Sequence, residues 1–187
     1  MNFFKGKALV PVVLLAVVLL ALAAYFFQPW KLFVDTHVQE AIPTVSASPS
    51  ENSTVLPRET EAPSEAIQYP LVLAQGVLVS HEHQTSGAVK ILQVEDGSRV
   101  LRLENLDTSD GPRVEVWLTD APVIEGQGGW RVFDDGKCTS LGAMKGNQGN
   151  QNYEIPPDLD LSDVSSISLW CVTFSVSFGA AELIPTS

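Results

Sequence analysis

The chain has 187 residues and a formal net charge of −11, from 11 lysines and arginines against 22 aspartates and glutamates. A nucleic-acid-binding surface needs cations that replace the counterions along the phosphates, so this balance excludes nucleic acid as a partner. The length suits one ordinary domain with attached segments.

The first 30 residues predict a short cytoplasmic stub and a transmembrane signal-anchor. Residues 8–27 form an uncharged run of 20 residues, and a helix of ~20 apolar residues spans the ~30 Å hydrocarbon core of a bilayer. Lys5 and Lys7 precede the run, which favours a cytoplasmic N-terminus. We therefore expect a single-pass cell-membrane protein that contacts the membrane through residues 8–27, with its C-terminal domain outside the cytoplasm. A signal peptide cleaved after Ala23 is the alternative, and it leaves the domain on the same side.

Residues 31–66 predict an extracytoplasmic linker rich in proline, serine and glutamate. The stretch 41–66 reads AIPTVSASPSENSTVLPRETEAPSEA and contains four prolines. Such a composition buries too little apolar surface to offset the entropy that the chain loses on ordering. We expect a disordered stalk between the anchor and the domain.

Residues 67–187 predict an all-β domain, because apolar residues alternate there with a period of two rather than 3.6. Val114, Val116 and Leu118 share one face of such a strand. Turn sequences separate the alternating runs, and the pair Asp96 and Gly97 is typical of a hairpin. Many short strands at this spacing favour an antiparallel β-sandwich or barrel-like domain.

The glycine-rich and acidic motifs do not match those of common enzymes. Residues 141–157 contain several glycines but lack the Gly-Lys-Ser/Thr end of a P-loop, so we interpret them as a well-turned loop. Residues 158–163 are acidic but lack the glycine and terminal glutamate of an EF-hand. Without a nucleophile elbow or a serine–histidine–aspartate order, no hydrolase is predicted. The sequence implies no cofactor and contains no hydrolase, transferase or P-loop signature.

His81 and His83 are weak candidates for metal ligands. At a spacing of two residues both imidazoles point to one face of a strand, which supplies half of a metal site. The alternative is a polar strand end that runs into a turn. Because no third ligand can be identified, no metal site is predicted.

The two cysteines, Cys138 and Cys171, leave three alternatives open. Outside the cytoplasm they can form a disulfide, and closing their 33-residue separation would stabilise the fold by ~3–4 kcal/mol. Cys171 lies in an apolar alternating stretch, so it can instead be an inert buried thiol beside a free Cys138. The third alternative is a redox-active thiol, although such thiols normally lie in exposed, electropositive surroundings.

Five stretches of the sequence resemble the DM13 domain family: TSG at 85–87, LRLENL at 101–106, GPRVEVWLTD at 111–120, LGAMKGNQGNQNYEIP at 141–156, and SLWC followed by FSVSFGAAEL within 168–183. They cover about residues 70–184 and lie in the order of the family. The chain is similar to bacterial, membrane-anchored, actinobacterial-like members. The motif residues are Trp170, Phe174, Phe178, Gly179, Gly146, Asn147, Asn152 and Tyr153.

The resemblance implies an all-β domain with a role in extracytoplasmic electron transfer. It also implies that the cysteine of the Trp-Cys motif, here Cys171, is redox-active. Cys138 departs from the bacterial pattern, in which this position is not usually a cysteine. Its presence strengthens the alternative of a disulfide with Cys171. The expected redox partner is unknown. The alternative is a non-catalytic binding or adhesion module of the cell envelope, with Trp117, Trp130 and Tyr153 as contact residues.

Overall fold

A computed structural model describes residues 5–27, 34–43 and 68–186. One α-helix, α1, covers Lys5–Phe27. The sequence predicts a membrane span in this segment, but over the residues that the structure describes no helix reaches the length and apolarity that crossing a membrane requires. Residues 1–4 and 28–30 of the predicted stub and anchor, residues 31–33 and 44–66 of the predicted linker, and residues 67 and 187 of the predicted domain lie outside the described residues.

Apart from two short 3-10 helices, Gln127–Gly129 and Leu161–Asp163, the regular structure in the remainder of the described chain consists of strands, which confirms the predicted all-β class. The strands form one six-stranded sheet, in the order β1-β8-β5-β4-β2-β11, and one five-stranded sheet, in the order β3-β10-β9-β6-β7. All pairings are antiparallel except β1 with β8. Their bounds are β1 His37–Gln39, β2 Leu71–Val77, β3 Val79–Ser80, β4 Ser86–Gln93, β5 Arg99–Asp107, β6 Val114–Thr119, β7 Cys138–Ala143, β8 Gln148–Ile155, β9 Ser166–Cys171, β10 Val176–Glu182 and β11 Ile184–Pro185.

The two sheets share one hydrophobic core, as the layers of a sandwich do. Val89 and Leu101 of the larger sheet and Val116 and Leu169 of the smaller one are fully buried in it. Each side chain alternates along its strand with one that faces outward, which is the period of two seen in the sequence. The core therefore lies between the sheets.

Strand β9 is buried on both faces. Its side chains at 167, 169 and 171 enter the shared core, whereas Trp170 faces the other side. There Trp170 packs in a second apolar cluster with Ala121, Phe133 and Ala180. The segment between β6 and β7, which contains Ala121 and Phe133, therefore covers the outer face of the smaller sheet.

Residues 34–43 differ from the sequence-based expectation. They fall in the predicted linker, yet β1 adds to the edge of the larger sheet in parallel register with β8. The segment has no long apolar alternation that could have predicted a strand. It is held instead by polar groups of the glycine-rich stretch, among them the Asn147 side chain.

Candidate thiol site

The two cysteines are far apart, so the disulfide, one of the three alternatives that the sequence left open, does not form. Both are free thiols. Cys171 of β9 pairs with Val114 at one end of β6, and Cys138 of β7 pairs with Thr119 at the other end. The five residue steps between Val114 and Thr119 correspond to about 17 Å, whereas a disulfide needs Cα atoms within ~7 Å. Because β6 lies between the two cysteine strands, no local rearrangement brings the sulfurs together.

Cys171 lies in the shared core with none of its surface exposed. Its Sγ donates a hydrogen bond of 3.2 Å to the backbone carbonyl of Pro112. Burial raises the pKa of the Cys171 thiol, the backbone N–H groups of Phe174 and Thr173 partly oppose that effect, and the negative charge of Glu82 adds to it. The group is therefore a protonated thiol at neutral pH rather than a nucleophilic thiolate.

A structured backbone covers the sulfur at the end of β9. Arg113, which directly precedes β6, has a positive φ of 54°, and Ser175 in the turn between β9 and β10 has a positive φ of 48°. Arg131 fixes that turn from outside, because its guanidinium donates to the carbonyls of Phe174 and Ser175 at 2.9 and 3.0 Å. The Phe174 side chain itself is 43% exposed. The cover is thus hydrogen-bonded in place over Cys171.

Two further motif residues, Phe178 and Gly179, close the same end of the domain. Phe178 is buried, and a Cβ on Gly111 would lie only 2.6 Å from its ring. At Gly179 a Cβ would lie 2.6 Å from a methyl group of Thr85. Both motif positions therefore serve tight packing.

The tryptophan and the cysteine of the Trp-Cys motif point to opposite faces of β9. Trp170 is almost fully buried, with its ring centroid 5.4 Å from that of Trp117 and 6.3 Å from that of Phe133. Such tilted and edge-on pairs stabilise beyond their buried area. The motif therefore contributes one residue to each of the two cores, and its two side chains do not form one site.

Cys138 is exposed at the start of β7. Partial burial of its sulfur raises the pKa of the Cys138 thiol, and the nearby carboxylates of Asp134 and Asp120 raise it further. A reactive cysteine needs positive neighbours that lower its pKa. The surroundings of Cys138 raise its pKa instead.

His81 and His83 do not lie on a strand, and the structure instead matches the alternative of a strand end that runs into a turn. Both follow β3 in a bend. His81 is buried, and its Nδ1 lies 2.9 Å from the Ser177 hydroxyl, whereas the His83 ring packs against Phe178 at 3.8 Å between centroids. Burial lowers the pKa of His81, and the backbone of Ile124 partly opposes that effect. Among the described residues no three histidine, cysteine or acidic side chains are grouped so that they could hold a metal ion.

The predicted contact residues do not form one exposed surface. Tyr153 is buried, its hydroxyl donates to the side chain of Gln151 at 2.6 Å, and burial raises the pKa of Tyr153 to about 12. Trp117 and Trp130 are half-buried. The indole N–H of Trp117 donates to the Glu115 carboxylate at 3.0 Å.

The motif residues Gly146, Asn147 and Asn152 belong to the larger sheet and its adjoining loop, away from Cys171. They contact residues 34–43 of the same chain. The family pattern includes these positions but indicates no partner for them. Nothing in the sequence indicates that the guanidinium of Arg102 is buried beside them, because a basic residue within a strand carries no signal of burial.

The fold and the site define a two-sheet β-domain with one thiol sealed in its core. A family model described as "Electron transfer DM13" matches residues 77–183 of the chain. No curated protein and no solved structure matches it. Since the match covers more than half of the sequence and includes both cysteines, the chain belongs to the DM13 family. The predicted membership of the DM13 family is thereby confirmed.

Proposed function

We propose that this domain transfers single electrons through the sulfur of Cys171. The observation that carries the proposal is the position of this thiol, which is fully buried in the family-matched part of the chain and hydrogen-bonded to Pro112. In the forward step one electron passes from the sulfur to a one-electron carrier on a partner protein, and the S–H proton is lost to water during transient opening of the domain, which leaves a neutral thiyl radical. The reverse step restores the thiol.

The surroundings of Cys171 do not support disulfide exchange, which leaves a mechanism that uses a single thiol. Disulfide exchange needs a thiolate and a second sulfur within reach. Burial raises the pKa of Cys171, and Cys138 pairs at the opposite end of β6. Burial also keeps bulky oxidants and other thiols away from the sulfur. Electron transfer without a bond to the partner is the redox chemistry that such a thiol can still perform.

Protein-film voltammetry of two matched cysteine variants tests the proposal. We expect wild-type protein and Cys138→Ser to give the same redox wave, and Cys171→Ser to lose it. Circular dichroism establishes that Cys171→Ser is folded, and Cys171→Ala serves as the second variant because it adds no hydroxyl group to the core. An undiminished wave in a folded Cys171 variant would refute the role of this sulfur.

A second candidate function is a non-catalytic binding or adhesion module of the cell envelope. The sealed position of Cys171 favours it, because a buried, protonated thiol also behaves as a small apolar side chain. An experiment in cells distinguishes the two functions. A folded Cys171→Ala protein that keeps its full cellular role supports the binding module, and one that loses it supports electron transfer.

For location, we propose that the domain lies outside the cytoplasm on a single-pass anchor formed by residues 8–27. The support is the uncharged sequence of this run and the lysines before it. Protease treatment of intact cells should remove the domain while cytoplasmic proteins survive. The mass of the N-terminal peptide then distinguishes an intact anchor from a chain cleaved after Ala23.

A further inference from the structure

A groove along strand β8 is occupied by a segment of the same chain. The residues that define this β8 groove are Arg102, Lys145, Gly146, Asn147, Gly149 and Asn152. Residues 35–42 lie in it as an extended segment that includes β1. The segment belongs to the sequence before the family-matched region 77–183, whereas the groove lies within that region.

The backbone of the segment adds a parallel strand to β8. The N–H of Gln148 donates to the carbonyl of Thr36 at 3.2 Å, and the N–H of Glu40 donates to the carbonyl of Asn150 at 2.9 Å. Strand addition to a sheet edge is a general way of recognising an extended peptide, in which main-chain bonds give affinity and side-chain contacts give specificity.

Two glycines of the groove make room for this strand. A Cβ on Gly146 would collide with the carbonyl of Thr36, and a Cβ on Gly149 would collide with that of Val38. Gly149 also has a φ of +99°, a conformation that L residues rarely adopt. The glycine-rich stretch is therefore shaped for close approach of another backbone.

Asn147 binds the first residues of the segment. Its side-chain carbonyl accepts the N–H of Thr36 at 2.6 Å, and its amide group donates to the carboxylate of Asp35 at 2.8 Å. Asn147 is only 1% exposed. A buried amide placed in this way selects a backbone N–H and an acidic side chain next to each other.

Cationic and amide groups bind the last residues of the segment. The carboxylate of Glu40 accepts from the Lys145 ammonium at 2.8 Å and from the N–H of Asn152 at 2.6 Å. Arg102, only 4% exposed, donates to the carbonyls of Glu40 and Ala41, each at 3.2 Å. Charge-assisted bonds of this kind are among the strongest in proteins.

The hydrophobic core does not depend on the segment. The side chains that form the two apolar clusters come from other parts of the described chain, and none comes from residues 34–43. Val34, which directly precedes the segment, and Ile42, its last residue, are 54% and 51% exposed. Removing the segment would break hydrogen bonds and ion pairs but would open no apolar core.

From these contacts we infer that the β8 groove is a peptide-binding site, with residues 35–42 of the same chain as its separable ligand. The ligand class is an extended peptide with an acidic residue before the strand and a glutamate five positions later, as in Asp35 and Glu40. This inference is independent of the electron-transfer proposal.

Occupation of the groove shortens the connection between α1 and the domain. With the segment bound, seven residues, 28–34, separate α1 from Asp35, the first residue of the segment, and seven residues span at most ~25 Å. With the groove empty, the whole stretch 28–67 would separate them. Binding therefore sets how far the domain can move from the N-terminal helix.

Cleavage of the full-length protein tests whether the segment is a ligand. A protease site inserted between Ser50 and Glu51 lets the chain be cut after purification in detergent. The N-terminal fragment comprises residues 1–50 and includes α1, so gel filtration followed by mass spectrometry of each peak reports whether the domain remains bound to it. We expect the domain to stay bound and to be released by the peptide VDTHVQEAIP, which corresponds to residues 34–43.

Matched variants give the test its specificity. A Glu40→Ala chain should release its domain on cleavage, and the peptide with the same change should need roughly tenfold to a hundredfold higher concentration to compete, because bonds to a charged group are lost. Glu125→Ala, in the segment between β6 and β7, removes one negative charge elsewhere and should retain the domain.

Each other outcome overturns the inference. If the wild-type domain separates from the N-terminal fragment upon cleavage and keeps its near-ultraviolet circular dichroism, the groove does not bind the segment. If the domain unfolds when the segment is displaced, the segment is an integral strand rather than a ligand. Equal retention of the Glu40→Ala and Glu125→Ala proteins would remove the assigned recognition of the carboxylate.

Discussion

The sealed position of Cys171 predicts a large difference in reactivity between the two thiols of the folded protein. Cys138 is exposed and Cys171 has no exposed surface, so an alkylating reagent reaches Cys171 only after the domain opens. Opening that amounts to global unfolding takes at least ~5 kcal/mol in a typical domain, and each ~1.4 kcal/mol corresponds to a factor of ten. Alkylation of Cys171 should therefore be more than ~1,000-fold slower than in the unfolded chain.

The assay is a time course of iodoacetamide labelling followed by mass spectrometry. Cys138→Ser and Cys171→Ser each leave one thiol, so every rate belongs to one residue. The same labelling in 6 M guanidinium gives the unfolded reference. We expect Cys171 to be protected only in the folded protein. Labelling of folded Cys171 within tenfold of the rate of Cys138 would refute the sealed site.

Three further predictions concern the rest of the domain. Because burial lowers the pKa of His81, the unfolded chain binds a proton near pH 6.5 that the folded chain does not. The free energy of unfolding should therefore fall as the pH drops below about 6.5. The denaturation midpoints of wild type and His83→Gln should fall in parallel, and a midpoint that stays constant from pH 7.5 to 5.5 would contradict this. Burial raises the pKa of Tyr153 to about 12, so absorbance titration should show one late-ionising tyrosine that Tyr153→Phe removes, and stability should fall above about pH 10 as the unfolded chain ionises first. Leu169→Ala, in the centre of the shared core, should lower the free energy of unfolding by about 2–5 kcal/mol, and a loss below 1 kcal/mol would show that the core there is loose.

The strands could be predicted because burial on one face imposes a local pattern. The alternation of Val114, Val116 and Leu118 appears in the structure as the buried face of β6. Asp96 and Gly97 do connect β4 to β5, with Gly97 at a φ of 86°. These features depend on neighbours in sequence, which is the range over which periodicity and turn chemistry act.

The site could be predicted only in part, because its geometry depends on contacts distant in sequence. The resemblance to the family identified Cys171, but the separation of Cys138 from it follows from both ends of β6 being used for pairing. Likewise, nothing local shows that Asp35 pairs with Asn147 across 112 residues. Polar recognition between distant segments leaves no periodic pattern in either of them.

The most direct test of the electron-transfer proposal is to locate the unpaired electron after oxidation. In the Cys138→Ser protein Cys171 is the one remaining cysteine, and freeze-quench electron paramagnetic resonance can follow its reaction with a one-electron oxidant. The proposal predicts a radical signal that narrows when cysteine is deuterated at Cβ. A signal insensitive to this labelling, as from a tryptophan, or no radical at all would contradict a role for the Cys171 sulfur.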